Sequence, residues 1–343
     1  PAKKLVFNAL KNKKHVVTAN KALIAKYGDQ LSKIAEKNKV NLEFEAAVCG
    51  GVPIIRSLKE GLIANKISRV YGIFNGTSNY ILSTMDQKNK NFNDVLTDAK
   101  KLGYAETNPL SDLNGDDVAS KLKILSSLCF NSFIDHNIHV EGINFIDKVD
   151  IDNANKLGYK IKLLGVSEII NNRVYQRVHP TLIKKSSYIA SIDGVLNAVI
   201  VDGKPVGQNV IQGEGAGPEA TTSALISDIS SILRGNVKFP FSISSKERKK
   251  LSYKGISERF FSAYLRFEVL DKPGVLSNIT NIFSKNKVSI KRLIQNPNKS
   301  KKFSSIIIIT HGSKDRFLNQ IIKQTKKKPY IIKKPKLIRI GAN

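Results

Sequence analysis

The stretch "HVVTANKALIAKYGDQLSKIAEKNKVNLEFEAAV", His15 to Val48, decides the fold. Its β-branched opening "HVVT" reads as a short buried strand, Leu23, Tyr27, Leu31 and Ile34 then fall at helical spacing, and "LEFEAAV" reads as strand again. Upstream, helical apolar spacing over Ala2 to Leu10 predicts another helix. The resulting order, αβαβ, implies a parallel sheet with crossover helices. Ligands of such sheets gather at the carboxyl ends of the strands, where Asn20 and Lys21 sit.

Working outward, "GGVPII" breaks the pattern and leads to a helix. "ISRVYGIFNG" then reads as a strand closed by a glycine turn, with a second helix from Ser78. Strands such as "NRVYQRVHP" and "NAVIVDG" alternate with helices as far as Asn209, which predicts a mixed sheet covered on one face. "IQGEGAGPEATTSALISDISSIL" is a glycine-rich turn before a long helix of small and apolar residues suited to a close helix contact. Lys238 to Ser257, rich in Lys, Ser and Pro, reads as a linker. The tail follows as strand, helix and strand in "AYLRFEVLDKPGVLSNITNIFSKNKVSIKRLIQ", a further strand at "SSIIIITH", a helix from about Lys314 and a last strand at "YIIKK", the ferredoxin-like order.

Composition narrows the function classes. The 343 residues, 41% of them hydrophobic, suffice for two or three domains with real cores. Two cysteines far apart, Cys49 and Cys129, suit ordinary buried thiols in a reducing compartment, so the cytoplasm is the expected location. No apolar run approaches the about eighteen residues that span a bilayer, and "PAKKLVFNAL" lacks a signal core. The formal charge of +28 raises nucleic-acid binding, but the lysines are dispersed beside Asn and Ser without interleaved Arg and aromatics, so no nucleic-acid partner is expected. Dense runs occur only at "KERKK" and in "KKKPYIIKKPKLIRI".

Against that charge, "LGYAETNPLSDLNGDDVASKLKIL" gathers Glu106, Asp112, Asp116 and Asp117. Val118, Leu122, Leu125 and Leu128 share one helical stripe, which leaves Asp117 and Lys121 adjacent on a neighbouring face. Carboxylates beside one ammonium match a ligand with its own ammonium and a reacting oxygen, as an α-amino acid has. A capped surface helix with a plain i, i+4 ion pair is the alternative.

Five segments in order, "VVTANKALIA", "FEAAVCGGVPII", "GIFNGTSNYIL", "LGYAETNP" with "DLNGDDVASKL", and "GEGAGPEATTSALISDI", resemble the homoserine dehydrogenases. The tail resembles an ACT regulatory domain. The resemblance implies an α/β chain with an incomplete Rossmann-type nucleotide-binding domain (residues 1–45, completed by 210–237), a mixed α/β catalytic and dimerisation domain (46–209), a linker (238–260) and a C-terminal ferredoxin-like ACT domain (261–343). It implies NAD- or NADP-linked interconversion of L-homoserine and L-aspartate 4-semialdehyde in amino-acid biosynthesis, by a homo-oligomer. A non-catalytic amino-acid-binding regulatory protein is the alternative reading.

Carried onto this chain, the resemblance makes Glu106, Asp112 and Asp117 substrate ligands. Lys121 becomes the proton donor and acceptor, a role eased where surroundings lower a lysine's pKa. It places Lys21 against substrate or cofactor, and Gly103 and Gly217 where the cofactor approaches the backbone closely. Glu45 with the carbonyls of Val48, Gly50 and Val52 resembles a monovalent cation site, sodium being the expected ion, although a glycine turn explains the same residues. Cys49 inside that loop is expected to be structural, and His136 and His139 form no metal site. In the tail, Asp271, Gly274 and Asn278 of "LDKPGVLSNIT" are the expected contacts of a regulatory amino acid, threonine by resemblance. The family also has a GxGxxG turn after a first strand; none occurs in this sequence, so the upstream part of the nucleotide-binding domain is expected to be missing, and the residue that chooses between NAD and NADP with it.

Overall fold

The computed structural model describes residues 1–298 and 303–341. The chain forms two compact units, one made of Pro1–Lys148, Leu163–His179 and Ser191–Lys254, the other of Val149–Lys162, Pro180–Ala190 and Gly255–Asn343.

In the first unit the αβαβ order holds: helix Ala2–Lys11, strand Val16–Val17, helix Lys21–Asn38 and strand Leu42–Glu43, the two strands parallel with Val16 opposite Leu42. Asn20 starts the second helix by accepting the Leu23 amide at 3.0 Å, and Lys39 ends it in the left-handed conformation. The second strand is shorter than "LEFEAAV" predicts, because Glu45–Ala47 turns as a 3-10 helix. The Glu45 amide bonds Asp228 at 2.9 Å and its carboxylate takes the amides of Ile55 and Arg56, which pulls the backbone off the ladder.

The same unit carries a mixed sheet in the order Gly207–Glu214, Leu196–Lys204, Lys66–Ile73, then strand Tyr159–Ile170 from Leu163 on and strand Arg173–Lys184 as far as His179. The first three pairings are antiparallel, while His139–Val140 and Ser252–Tyr253 pair in parallel with Arg173–Val178. Helix Asp116–Cys129 buries the predicted stripe, with Val118, Leu122 and Leu125 fully enclosed. A Cβ on Gly165 would lie 2.7 Å from the Phe74 ring and 3.0 Å from Val118, so glycine there lets the helix and the end of strand Lys66–Ile73 settle on the sheet.

The expected linker is not one. Phe241 is buried, its ring 5.3 Å from that of Phe44 and 5.7 Å edge-on from that of Phe133, and Gly28 is bare because a Cβ would meet Phe241 at 2.7 Å. Arg248 pairs with Asp29 at 3.0 Å and Glu36 at 2.8 Å. Lys238–Lys254 is therefore a strap of the first unit, fastened by Phe241 and Arg248, with Lys246, Glu247, Lys249 and Lys250 exposed.

In the second unit, Phe260–Leu270, Val275–Lys285, Ile290–Asn298, Phe303–Thr310, Asp315–Lys326 and Lys336–Ile340 follow the ferredoxin-like order around Leu265, Phe267, Ile279, Phe283, Ile306 and Leu318. The last strand is "KLIRI", not "YIIKK": Pro329 and Pro335 flank the latter, and it makes only the isolated bridge Val269 to Ile331. The contiguous domain 46–209 is also corrected. Val149–Lys162 belongs with the tail because Asp150, fully buried, accepts Arg266 at 2.7 Å, Lys336 at 2.8 Å and Tyr264 at 3.2 Å. Pro180–Ala190 joins it where Thr181 and Leu182 pair in parallel with Arg339 and Ile340.

Candidate active site

Strand Lys66–Ile73 delivers Phe74 and Asn75 to the start of helix Gly76–Lys88. The Asn75 Oδ1 caps that helix by accepting the Ser78 amide at 2.8 Å, and its Nδ2 donates to Asp112 at 2.8 Å and to Asp117 at 2.9 Å. A buried amide thus joins two carboxylates from another part of the chain. Asp117 lies in the first turn of its helix behind Gly115, whose φ of 90° makes the sharp entry.

Asp117 receives two ammonium groups besides. Lys21 reaches Oδ1 at 2.6 Å from a half-exposed position, and Lys121 reaches Oδ2 at 2.9 Å from a buried one. Lys121 also donates to the carbonyl of Phe74 at 2.7 Å. The carboxylate so held titrates at about 2: burial opposes the shift, but the charges of Lys121 and Lys21 outweigh it. For Lys121, burial pulls downward and the charge of Asp117 more than offsets it, so its pKa is raised. The expectation of a lowered lysine is therefore corrected: the Asp117 carboxylate outweighs the desolvation of the buried ammonium. Asp112 shifts upward through burial, with the charge of Asp117 adding to it.

The structure brings together Lys21, Asp112, Asp117 and Lys121 of the predicted residues. It does not bring in Glu106, which is exposed and makes no hydrogen bond or ion pair among the described residues. Its loop is fixed at Tyr104, whose carbonyl accepts the Thr77 hydroxyl at 2.6 Å and whose ring lies 5.0 Å from Tyr80. Sequence reasoning missed Asn75 and the Phe74 carbonyl. The dipeptide "NG" before a helix signalled a cap, but nothing in it signalled the second pair of bonds.

Gly103 and Gly217 have φ of 74° and 116°, and a Cβ on either would meet nothing within 4 Å. Their backbone conformation requires glycine, not close packing of protein atoms. Gly217 begins helix Pro218–Leu233. Just before it, Gly215 lies against Asn197, whose amide atoms would be 2.1 Å from a Cβ, and Gly51 donates to the Glu214 carbonyl at 2.8 Å. Because Asn197 is fully buried, Gly215→Ala forces the strand and loop apart. Chemical denaturation is expected to show about 2 kcal/mol of lost stability, partly regained in the Gly215→Ala, Asn197→Ala double variant.

The Glu45 side chain, expected at a cation site, is engaged by backbone amides. It is buried, and its two oxygens accept the Ile55 and Arg56 amides at 2.8 Å each. Of the turn's carbonyls, that of Val52 already accepts the Ile54 amide at 2.7 Å. Burial raises Glu45 to about 7. Burial pushes the Cys49 thiol up to about 11, which makes it a poor nucleophile. In the tail, a cavity of ≈ 480 Å³ is lined by Asp271 and Gly274 together with Gln295, but not by Asn278, which faces solvent from the next turn.

Three family models match the chain: "Homoserine dehydrogenase, NAD binding domain" over residues 1–45, "Homoserine dehydrogenase" over 53–230 and "AHAS small subunit-like ACT domain" over 265–333. A homoserine dehydrogenase of Neisseria gonorrhoeae is 41% identical over 328 residues, 94% of this chain and 75% of that protein. The crystal structure of a homoserine dehydrogenase from Thiobacillus denitrificans superposes with a TM-score of 0.92 at 39% identity, covering 99% of this chain and 79% of that one. A hyperthermophilic archaeal homoserine dehydrogenase in complex with NADPH gives 0.62 at 27% identity, covering 69% of this chain and 70% of the other.

Proposed function

Since the chain belongs to the homoserine dehydrogenase family of NAD(P)-dependent oxidoreductases, we propose that Lys121, held by Asp117 and the Phe74 carbonyl, is the group that moves the proton between L-homoserine and L-aspartate 4-semialdehyde. The observation that carries this reading is the Lys121–Asp117–Lys21 chain of contacts, with one ammonium buried and the other half exposed.

When bound, the nicotinamide cofactor supplies or accepts the hydride. The residues present fit such a group. Gly217 opens into free space at the start of helix Pro218–Leu233, whose first-turn amides have no carbonyl partner within the helix and suit a diphosphate. The division 1–45 with 210–237 is supported by Asn41, whose side chain bonds the Asn236 carbonyl at 2.6 Å and the Lys238 amide at 3.0 Å. Lys21 lies where it can face cofactor or substrate.

In the reductive direction the Lys121 ammonium donates to the aldehyde oxygen as charge develops there; in the oxidative direction the free amine takes the hydroxyl proton. Asp117 is already satisfied by two lysines and Asn75. Asp112, with one bond to Asn75, and the unengaged Glu106 are therefore the carboxylates left for the substrate's own ammonium. No step is assigned to a sodium ion.

The raised Lys121 pKa sets the sign of the pH dependence. The ammonium persists above the ordinary lysine value of 10.5, so aldehyde reduction stays flat across neutral pH and falls only in strong alkali. The amine needed for oxidation is scarce at neutrality and grows about tenfold per pH unit below that pKa. Stopped-flow rates of homoserine oxidation are expected to climb from pH 7 to 10; a flat profile across that range removes Lys121 from the role.

The tail cavity at Asp271 and Gly274 supports a regulatory amino acid, threonine being the proposed one, and inhibition of turnover by added threonine tests it. Strand Ile290–Asn298 ends the tail sheet with one edge unpaired among the described residues, which supports pairing of two copies. Among the described residues no helix is long and apolar enough to cross a membrane, and a cytoplasmic biosynthetic role is part of the proposal.

A further inference from the structure

A second cavity, ≈ 530 Å³, lies in the first unit away from the Lys121 site, between helix Lys21–Asn38, the segment Ser132–His136 and the strap at Ser245–Leu251. Five cations line it or are tied into its wall: Lys26, Lys33, Arg248, Lys249 and Lys250. Three carboxylates face them, and they are unevenly used. Asp29 holds Lys33 at 2.6 Å and Arg248 at 3.0 Å, and Glu36 holds Arg248 at 2.8 Å. Lys249 and Lys250 have no ion pair among the described residues, which leaves only exposed Asp135 against them and Lys26.

The Arg248 side chain that carries two of the pairs is 5% exposed and its Nε has no partner, and the His136 ring on the same wall stacks on Tyr253 at 3.8 Å with Gln176 beside it. A buried donor without a partner is uncommon in folded proteins. A site with surplus positive charge, a rigid cationic wall and room for a small molecule suits a multiply charged oxyanion.

We infer that this cavity binds the phosphate group of a small phosphorylated molecule, held by Lys249, Lys250 and Lys26 over the Arg248 and His136 wall. The bound anion clamps the strap onto the helix that begins with Lys21. The site is independent of the dehydrogenase reading, since none of its residues belongs to the Lys121 network.

Calorimetric titration of the full chain with inorganic pyrophosphate at fixed ionic strength tests it. One site per chain is expected, retained with saturating NADP present and weakened about tenfold or more in the Lys249→Gln, Lys250→Gln double variant, in which two exposed side chains change and turnover stays as it was. The His136 ring signals should shift on binding. Absence of binding, loss of binding with NADP present, several weak sites that follow ionic strength alone, or affinity unchanged in the double variant would each overturn the inference.

Discussion

Replacement of Lys121 by alanine lowers turnover in both directions by about a thousandfold, within the range that a positioned acid or base contributes, while the KM for homoserine changes little. The split between kcat and KM follows from position. Lys121 is engaged by the Phe74 carbonyl and Asp117 at rest, and in the proposed reading other carboxylates, Asp112 first, hold the substrate's ammonium. The Asp117 left behind keeps Lys21 at 2.6 Å and Asn75 at 2.9 Å, so circular dichroism should show the variant folded. Lys121→Arg restores charge but not the compact ammonium, and little activity should return.

Asp117→Asn has the larger effect on the protein itself. Lys121 is buried and loses the charge that holds it protonated, and an uncompensated buried ammonium costs about 3 to 5 kcal/mol. Denaturant unfolding should show that loss. With Asp117 gone, burial is the dominant remaining influence on Lys121 and its pKa drops, so the alkaline limb of homoserine oxidation should move to lower pH in whatever fraction stays folded. In the wild type, Asp117 titrates at about 2 instead of its usual 3.8. A depressed carboxylate stabilises the folded state above its unfolded value and loses that contribution as pH falls through the folded one. This part of the stability is thus complete above about pH 4 to 5 and is lost toward pH 2, and Asp117→Asn should lack that acid dependence.

How much of this was legible in the sequence depends on the range of each interaction. Local signals carried well: helical spacing in Lys21–Asn38 and Asp116–Cys129, the Asp117–Lys121 neighbours one turn apart, and the ferredoxin-like order of the tail all follow from residues a few positions from one another. What was hidden came from distant segments. Asp150 binds Arg266 across 116 positions and so moves a stretch of the middle of the chain into the tail unit. Glu45, read as a cation ligand, is claimed by amides ten and eleven residues on. The strap at Phe241 and Arg248 looked like a linker because its partners, Gly28, Asp29 and Glu36, lie more than two hundred positions earlier and give the local composition no apolar period. The sign of the Lys121 shift turns on how deeply the Asp117–Lys121 pair is buried, which the one-turn spacing alone does not give.

The most direct measurement is homoserine-dependent reduction of NADP and of NAD by the folded chain that binds cofactor, with L-serine as the control substrate. The account predicts steady formation of reduced cofactor with homoserine, little with serine, and loss of that activity in Lys121→Ala. A folded, cofactor-bound chain that reduces neither cofactor, or a Lys121→Ala variant that turns over at the wild-type rate, would contradict it.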